Sequence, residues 1–354
     1  MAPIQKQSIG IDIAKDKFDV CFSLVDASGR VVVKSSRQFD NHKSGFVAFD
    51  QWIVKWQDPG VELCFTMEAT GVYYENLAWH LHQQSRQVAV VLPNLAKKYL
   101  QSLGYKSKND SIDARGLAQM GAERKLPAWQ PFSKQLYLLR KLTREHEQLN
   151  KAKTSIKNLL HVEAYALISG KSTVKRLEKT LALFDQQLAA IEKEMQAVVV
   201  VDEQLQAKVA NIISIKGVGF LTAVLIIAET NGFALFENQR QLVSYAGYDV
   251  VENQSGKRAG KTRISKKGNA HIRRCLFMPA FNLVRYDLPV FRKLYERLLA
   301  KGRTKMQAYV AVQKKLLVLI YTLWRKNGSY EAKNTTILNQ EAGAPLWGCC
   351  AAAG

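Results

Sequence analysis

Four carboxylates, Asp12, Glu68, Asp110 and Asp113, stand where a charge is awkward for structure. Asp12 interrupts the apolar run Ser8-Ile9-Gly10-Ile11-Asp12-Ile13-Ala14, and Glu68 closes the run from Val61. Asp110 and Asp113 lie three apart in Lys108-Asn109-Asp110-Ser111-Ile112-Asp113-Ala114-Arg115, which reads as the opening of a helix. Charges at the ends of buried strands are costly unless they are paired or bind a metal. Hard oxygen ligands in this number suit Mg²⁺, with Mn²⁺ as a possible substitute, and two such ions can flank a scissile phosphate. The chemistry suggested is phosphodiester cleavage. Asp110 has a second reading as a plain helix N-cap, a common role for Asp.

The elements that would hold these acids follow from patterning. Strand-like runs occur at Ser8–Ala14, Phe18–Val25, Val31–Ser36, Glu62–Glu68 and Gln87–Leu92, with helical patterns at Lys43–Trp56 and Val72–Gln84. Three meander strands, then helix, strand, helix and strand, is the order of an RNase H-like fold. In that order the first Asp lies on the first strand, the second acid on the fourth, and the last pair on a late helix. Residues three apart share a helix face, so Asp110 and Asp113 can reach one cluster.

From about residue 133 the period changes. Val174, Leu177, Leu181, Phe184, Leu188, Ile191, Met195 and Val198 recur in alternating steps of three and four. This heptad seam is expected to build a long antiparallel hairpin or a dimerising coiled coil. Leu142, Leu149 and Ile156 give a looser seam before Gly170. Beyond 206, Ile213-Ser214-Ile215-Lys216-Gly217-Val218-Gly219 resembles a helix–hairpin–helix turn. Lys216, Gly217 and Gly219 could meet a DNA phosphate there, and an ordinary tight turn is the other reading. Helices are expected at Glu237–Ala246, Ala270–Arg285 and Lys305–Arg325. The Ala/Gly-rich tail Glu341–Gly354 reads as disordered.

The formal charge of +21 favours a polyanionic partner, nucleic acid first. The excess is concentrated: no acid occurs between Glu252 and Asp287, while Lys257, Arg258, Lys261, Arg263, Lys266, Lys267, Arg273 and Arg274 do. A Gly-rich cationic loop running into a helix can track a phosphate backbone. Ser255 lies in it beside Gly256 and two cations, which would stabilise a phosphoryl group under attack. By spacing alone Ser255 ranks little above Ser265, a phosphate contact or cap, and Ser244, expected to pack. His271 is expected to face solvent or phosphate. No apolar run approaches the ~18 residues of a membrane span. Five cysteines without a CxxC motif argue against disulfides and structural zinc, so a reducing cytoplasm is the expected setting.

These segments occur in a fixed order: Ser8 to Lys15, Met67-Glu68-Ala69-Thr70-Gly71, Lys108 to Arg115, Ile215 to Gly219, Leu242 to Gly247, Gln254-Ser255-Gly256, Ser265 to Gly268 and Arg273 to Ala280. Together they resemble the DEDD transposases of the IS-one-ten type insertion sequences, relatives of the Piv DNA invertase, over about residues 8 to 325. The resemblance implies an α/β plus all-α chain: a RuvC-like domain of RNase H fold (1–130), a helical coiled-coil connector (131–205), a mainly helical C-terminal transposase domain (206–340) and a tail (341–354). It assigns the Mg²⁺ tetrad to Asp12, Glu68, Asp110 and Asp113, and the nucleophile to Ser255. It implies a phosphoserine link to DNA with a free 3′-hydroxyl, and donor and target DNA paired by a noncoding guide RNA encoded by the element. It further implies a homodimer assembling to a tetramer, with an active site that combines the RuvC-like domain of one protomer and the serine domain of another. Such relatives often carry an acid before the Ser-Gly pair, where this chain has Gln254. The competing readings are a junction-resolvase-type nuclease that uses water, and a non-catalytic nucleic-acid scaffold. An actin-like sugar kinase is disfavoured because Ala14 stands where a phosphate-cradling glycine is wanted.

Overall fold

The structure is a computed structural model that describes residues 4–105, 109–251, 254–255, 258–259, 263–286 and 288–330. The chain divides into two compact units, Met1–Pro131 and Phe132–Gly354.

The first unit contains β1 (Ile4–Ile13), β2 (Lys17–Asp26), β3 (Val31–Asp40), α1 (Lys43–Trp56), β4 (Leu63–Glu68), α2 (Glu75–Gln83), β5 (Gln87–Val91), α3 (Pro93–Ser102) and α4 (Asp110–Glu123). The sheet order is β3-β2-β1-β4-β5. The first three strands pair antiparallel, whereas β1, β4 and β5 run parallel. This is the meander-then-crossover order read from the sequence. Strand β3 runs four residues beyond its apolar run, through Arg37-Gln38-Phe39-Asp40, because an edge strand needs little burial to keep its ladder. Helix α2 starts three residues later than its pattern, since Gly71 takes a left-handed φ of 56° in the turn that precedes it. Helix α3, opened by Pro93 at its first turn, had no sequence expectation.

Alternation along β1 decides which face does what. Ile9, Ile11 and Ile13 enter the aromatic core of Phe18, Phe49, Trp52 and Phe65 beside α1. Ser8, Gly10 and Asp12 take the opposite face, which α4 covers. Ser8 Oγ donates to the Ala118 carbonyl at 2.7 Å, and Cys21 packs with Ala114 and Ala118. A Cβ on Gly10 would overlap the backbone of Ala114 and Ala118, and one on Gly121 would overlap Thr66 Oγ1. Glycine thus lets α4 lie with its backbone against the sheet.

The second unit contains α5 (Lys134–Tyr165), α6 (Lys171–Val200), α7 (Glu203–Ile213), α8 (Phe220–Glu229), α9 (Gln239–Tyr245), β6 (Val250–Val251), β7 (Gln254–Ser255), β8 (Arg258–Ala259), β9 (Arg263–Ile264), α10 (Ala270–Cys275), α11 (Phe277–Arg285), α12 (Pro289–Ala300) and α13 (Lys305–Lys326). The two longest helices, α5 and α6, pack on each other. Their apolar seam is buried only near the unit's core, at Leu139 and Leu142 on α5 and Leu188, Ile191, Met195 and Val199 on α6. Val199, one residue past the expected Val198, takes the last buried place. The expected helix Ala270–Arg285 is two helices broken at Leu276, because Pro279 has no N–H to carry the ladder back to Cys275. The tail 341–354 lies outside the described residues.

Candidate active site and cationic segment

The four acids of the first unit gather at one end of α4. Both β1 and β4 lead toward that end, and their register pairs Ile11 with Met67, so Asp12 and Glu68 are the next residues on neighbouring strands. Each lies two residues beyond a group that touches α4, Gly10 and Thr66 respectively. The helix approaches with its first turn, which carries Asp110 and Asp113. Asn109, not Asp110, is the N-cap: its side chain accepts from the Ile112 N–H at 2.8 Å. Asp110 is therefore the first helical residue, and the capping alternative for it falls away.

Electrostatics show the convergence. Burial, then the charges of Asp110, Asp113, Glu68 and Asp19, push the Asp12 carboxyl up to about 6. A carboxyl raised by its acidic neighbours is one that a nearby cation would relieve. Among the described residues, no three His, Cys, Asp or Glu side chains close on a single point as a finished metal cage does. The donor set is nevertheless that of a hard divalent ion: all oxygen and all anionic, with Asp12, Glu68 and Asp113 half-buried and Asp110 exposed.

The second unit holds its charges differently. Glu229, fully buried at the end of apolar α8, accepts from Arg144 Nε at 2.7 Å and Nη2 at 3.0 Å, and from Asn269 Nδ2 at 2.7 Å. Arg140 Nε lies 3.8 Å away. Burial alone would raise this carboxyl, but Arg144, Asn269 and Arg140 outweigh it and hold it below the usual range. Tyr245 Oη donates to the Glu229 carbonyl, and the Tyr245 carbonyl accepts from the Asn269 N–H. Asn269 in turn caps α10. A second carboxylate, Glu147 of α5, pairs with His271, Arg274 and Lys151. His271 thus faces a glutamate rather than solvent or phosphate. Sequence reading missed Arg140, Arg144, Glu147 and Glu229. A lone acid ending the run Phe220 to Ala228 was the available signal for Glu229.

These anchors flank the cationic segment. Val250 and Val251 pair with Ile264 and Arg263, which closes a neck, and Gln254 and Ser255 pair with Ala259 and Arg258 beyond it. Ser255 therefore ends one short strand of a hairpin and Arg258 opens its partner. Lys257 and Lys261 lie outside the described residues. Arg263, Lys266 and Lys267 are exposed, and Lys266 takes a left-handed φ of 53°. Arg273 and Arg274 are committed internally: Arg273 donates to the carbonyls of Ala246, Asn269 and Lys266, and Arg274 pairs with Glu147. Ser265 Oγ accepts from the Lys267 N–H, as a cap does, while Ser244 is exposed on α9 instead of packed. Between α7 and α8, Gly217 has φ 99° and lies against Asn282, whereas Gly219 caps α8 over open space. Lys216 Nζ stands 5.4 Å from the Tyr286 ring centre.

Comparison with known proteins bears on both units. A transposase family model, that of the IS110-type DEDD transposases, matches residues 9–163, and the model described as the transposase IS116/IS110/IS902 family matches residues 209–296. The pilin gene-inverting protein of Moraxella lacunata is 29% identical over 336 residues, covering 93% of this chain and 99% of that protein. Its counterpart in Moraxella bovis shows the same identity and coverage. The transposase for insertion sequence element IS1111A of Coxiella burnetii is 24% identical over 91% of this chain and 90% of its own length.

Proposed function

This chain belongs to the IS110-type DEDD transposases, and from that premise we propose that it cuts and rejoins DNA as the transposase or invertase of an insertion element. The observation that carries the reading is the gathering of Asp12, Glu68, Asp110 and Asp113 at the first turn of α4, with Asp12 pushed up to about 6 by burial and its neighbours. Crowded carboxylates cost stability unless a proton or a cation offsets their repulsion, and an all-oxygen set suits a hard divalent ion. Bound there, Mg²⁺ would supply Lewis-acid stabilisation of charge on the phosphate oxygens. Asp12 and Glu68 fix that charge on rigid strands, and α4 presents Asp110 and Asp113 from the side.

Ser255 is the nucleophile in this reading. Its Oγ bonds to phosphorus and releases its proton to solvent, the P–O3′ bond breaks, and the departing O3′ takes up a proton from solvent to leave a free 3′-hydroxyl. The phosphoserine keeps the phosphodiester energy, so the reverse attack by a 3′-hydroxyl rejoins strands without ATP. The hairpin that carries Ser255 and Arg258, with exposed Arg263, Lys266 and Lys267 beside it, supports backbone binding. Of the eight cations expected to bind nucleic acid in this stretch, Arg273 and Arg274 serve better as anchors of the hairpin's base. Donor and target DNA, a guide RNA encoded by the element, and a homodimer assembling to a tetramer complete the reading.

The test is trapping. The protein, its guide RNA, Mg²⁺ and labelled DNA should give a denaturant-resistant protein–DNA adduct, which Ser255→Ala loses while retaining RNA and DNA binding. Cleavage by Ser255→Ala without an adduct would make water the nucleophile and favour the resolvase-type reading.

A further inference from the structure

Helix α11 is apolar on two sides. Pro279, Ala280 and Leu283 are buried in the second unit, whereas Phe277, Met278 and Phe281 share the outer side, with Tyr286 just past the helix end. These four outer residues are 39%, 58%, 38% and 49% exposed in that order. A helix apolar all round is ordinarily buried, and an exposed apolar cluster with a polar rim marks an interaction surface. The rings are held from behind. Phe281 leans on Tyr309 of α13, with centroids 5.7 Å apart, and Tyr309 leans on Tyr295 of α12 at 4.7 Å. Lys216 Nζ stands beside the Tyr286 ring, 5.4 Å from its centre.

The charge around this patch has one sign. No Asp or Glu occurs in α10, α11 or α13, and Glu296 of α12 pairs with Arg292. Arg285, one turn past Phe281, and Lys216 are exposed. A second copy of a chain at +21 would bring the same cations to this face and be repelled. A nucleic-acid strand carries phosphates for the cations and flat π-faces for the rings, in alternation. A duplex keeps those faces inside its stack, so only an unpaired strand can offer them. The returning strand of the hairpin neck, Arg263–Ile264, leads through Asn269 into α10 and α11. The patch thus follows directly on the segment that carries Ser255.

We propose that the outer face of α11, centred on Phe277, Met278 and Phe281, stacks the bases of an unpaired DNA strand, with Lys216 and Arg285 on its phosphates. The inference rests on the reading of this chain as a protein that cuts and rejoins DNA. Strand exchange requires a strand to leave its partner, and each base that unstacks loses the contacts of its neighbours. An aromatic side chain replaces that contact whatever the base, so the face would hold a parted strand without reading its sequence.

Fluorescence anisotropy of the full-length protein with a short labelled oligothymidine tests this. Chelator is present so that no metal chemistry contributes, and duplex DNA and oligouridine are titrated alongside. Replacing Phe277 and Phe281 together by Ala should weaken oligothymidine binding about tenfold or more and duplex binding less than about twofold. Phe281→Trp should retain the affinity for oligothymidine. Phe281→Leu fills the space against Tyr309 but has no flat face, so it should lose affinity with its thermal midpoint unchanged. Wild-type affinity in Phe281→Leu would reduce the patch to apolar packing and overturn the proposal. Unchanged oligothymidine binding in the double variant, beside intact duplex binding, would overturn stacking alone. A wild type that binds neither form of DNA would overturn the DNA reading first. A loss confined to oligouridine would make RNA the occupant. A double variant that sediments as a smaller species than the wild type would make a second copy the occupant. Either of these last two results also overturns the proposal.

Discussion

Asp12 and Glu229 are both carboxylates set among apolar neighbours, yet their surroundings treat them in opposite ways. Around Asp12 the nearby charges are other acids, and its carboxyl is pushed up to about 6. Around Glu229 stand two arginines and an asparagine, which hold its carboxyl below the usual range. The paired carboxylate is satisfied by the fold itself and needs nothing further. The crowded one is left with a deficit that an outside cation can fill. One charge is neutralised by the fold, and the other is left among its like.

The sharpest way to break the comparison is to neutralise one member of each set. Asp12→Asn or Glu68→Gln should reduce strand exchange by about a thousandfold or more, the equivalent of the several kcal/mol a metal contributes to charge stabilisation. Calorimetry without metal should show the fold kept, because a repulsion is relieved. Near-normal exchange by both variants would remove the functional half of the contrast.

Glu229→Gln should do the reverse, costing stability directly. Breaking a buried pair leaves uncompensated charge, and since Arg144 is partly exposed the lower end of the range applies, about 3 kcal/mol. The sign with pH is fixed by the lowered folded value. The contribution of Glu229 is complete above the ordinary glutamate range near ~4.3 and is lost as pH falls through the folded value. Urea unfolding from neutral to acid pH should therefore show the wild type losing stability on the acid side faster than Glu229→Gln. Parallel curves would mean that the pair is not ionic.

Gly10→Ala tests the frame that gathers the acids. Its Cβ would overlap the backbone of Ala114 and Ala118, so α4 must shift, at about 1–3 kcal/mol. Exchange should fall further than stability, because the first turn of α4 moves away from Asp12. Asn109→Ala should cost about 1 kcal/mol as the cap is lost. Its effect on Mg²⁺ dependence should exceed its effect on the thermal midpoint. The smallest change is expected on the cationic side. Neutralising Lys257, Arg258, Lys261 and Arg263 should flatten the salt dependence of DNA binding by roughly 0.9 in log–log slope for each phosphate contact removed. An unchanged slope would place the binding surface elsewhere.

Much of the first unit was legible in the sequence because β1 states its own geometry. Isoleucines at 9, 11 and 13 against Ser8, Gly10 and Asp12 fix a two-faced buried strand, and the helix Lys43–Trp56 appears with the bounds its pattern predicts. Local rules decide such features: alternation, helical period, and Asn or Gly at the boundaries. The sequence also marked Asp12, Glu68, Asp110 and Asp113 as charges in unusual company, since a carboxylate inside an apolar run is visible without coordinates.

What only tertiary structure decided are the partnerships between distant residues. The stretch between Glu252 and Asp287 contains no acid, and on the sequence Arg273, Arg274 and His271 look open to phosphate. The fold brings Glu147 to His271 and Arg274, from more than a hundred residues away, and turns Arg273 onto backbone carbonyls. The charge of Asp19 near Asp12 carries no mark in the sequence either, because a polar residue in a half-exposed strand is ordinary. Its place opposite Asp12 depends on the β1–β2 register. Periodicity determines which way a side chain faces. Only the packed chain determines whether a charge meets its opposite, as Glu229 does, or its like, as Asp12 does, because that depends on contacts no local pattern encodes.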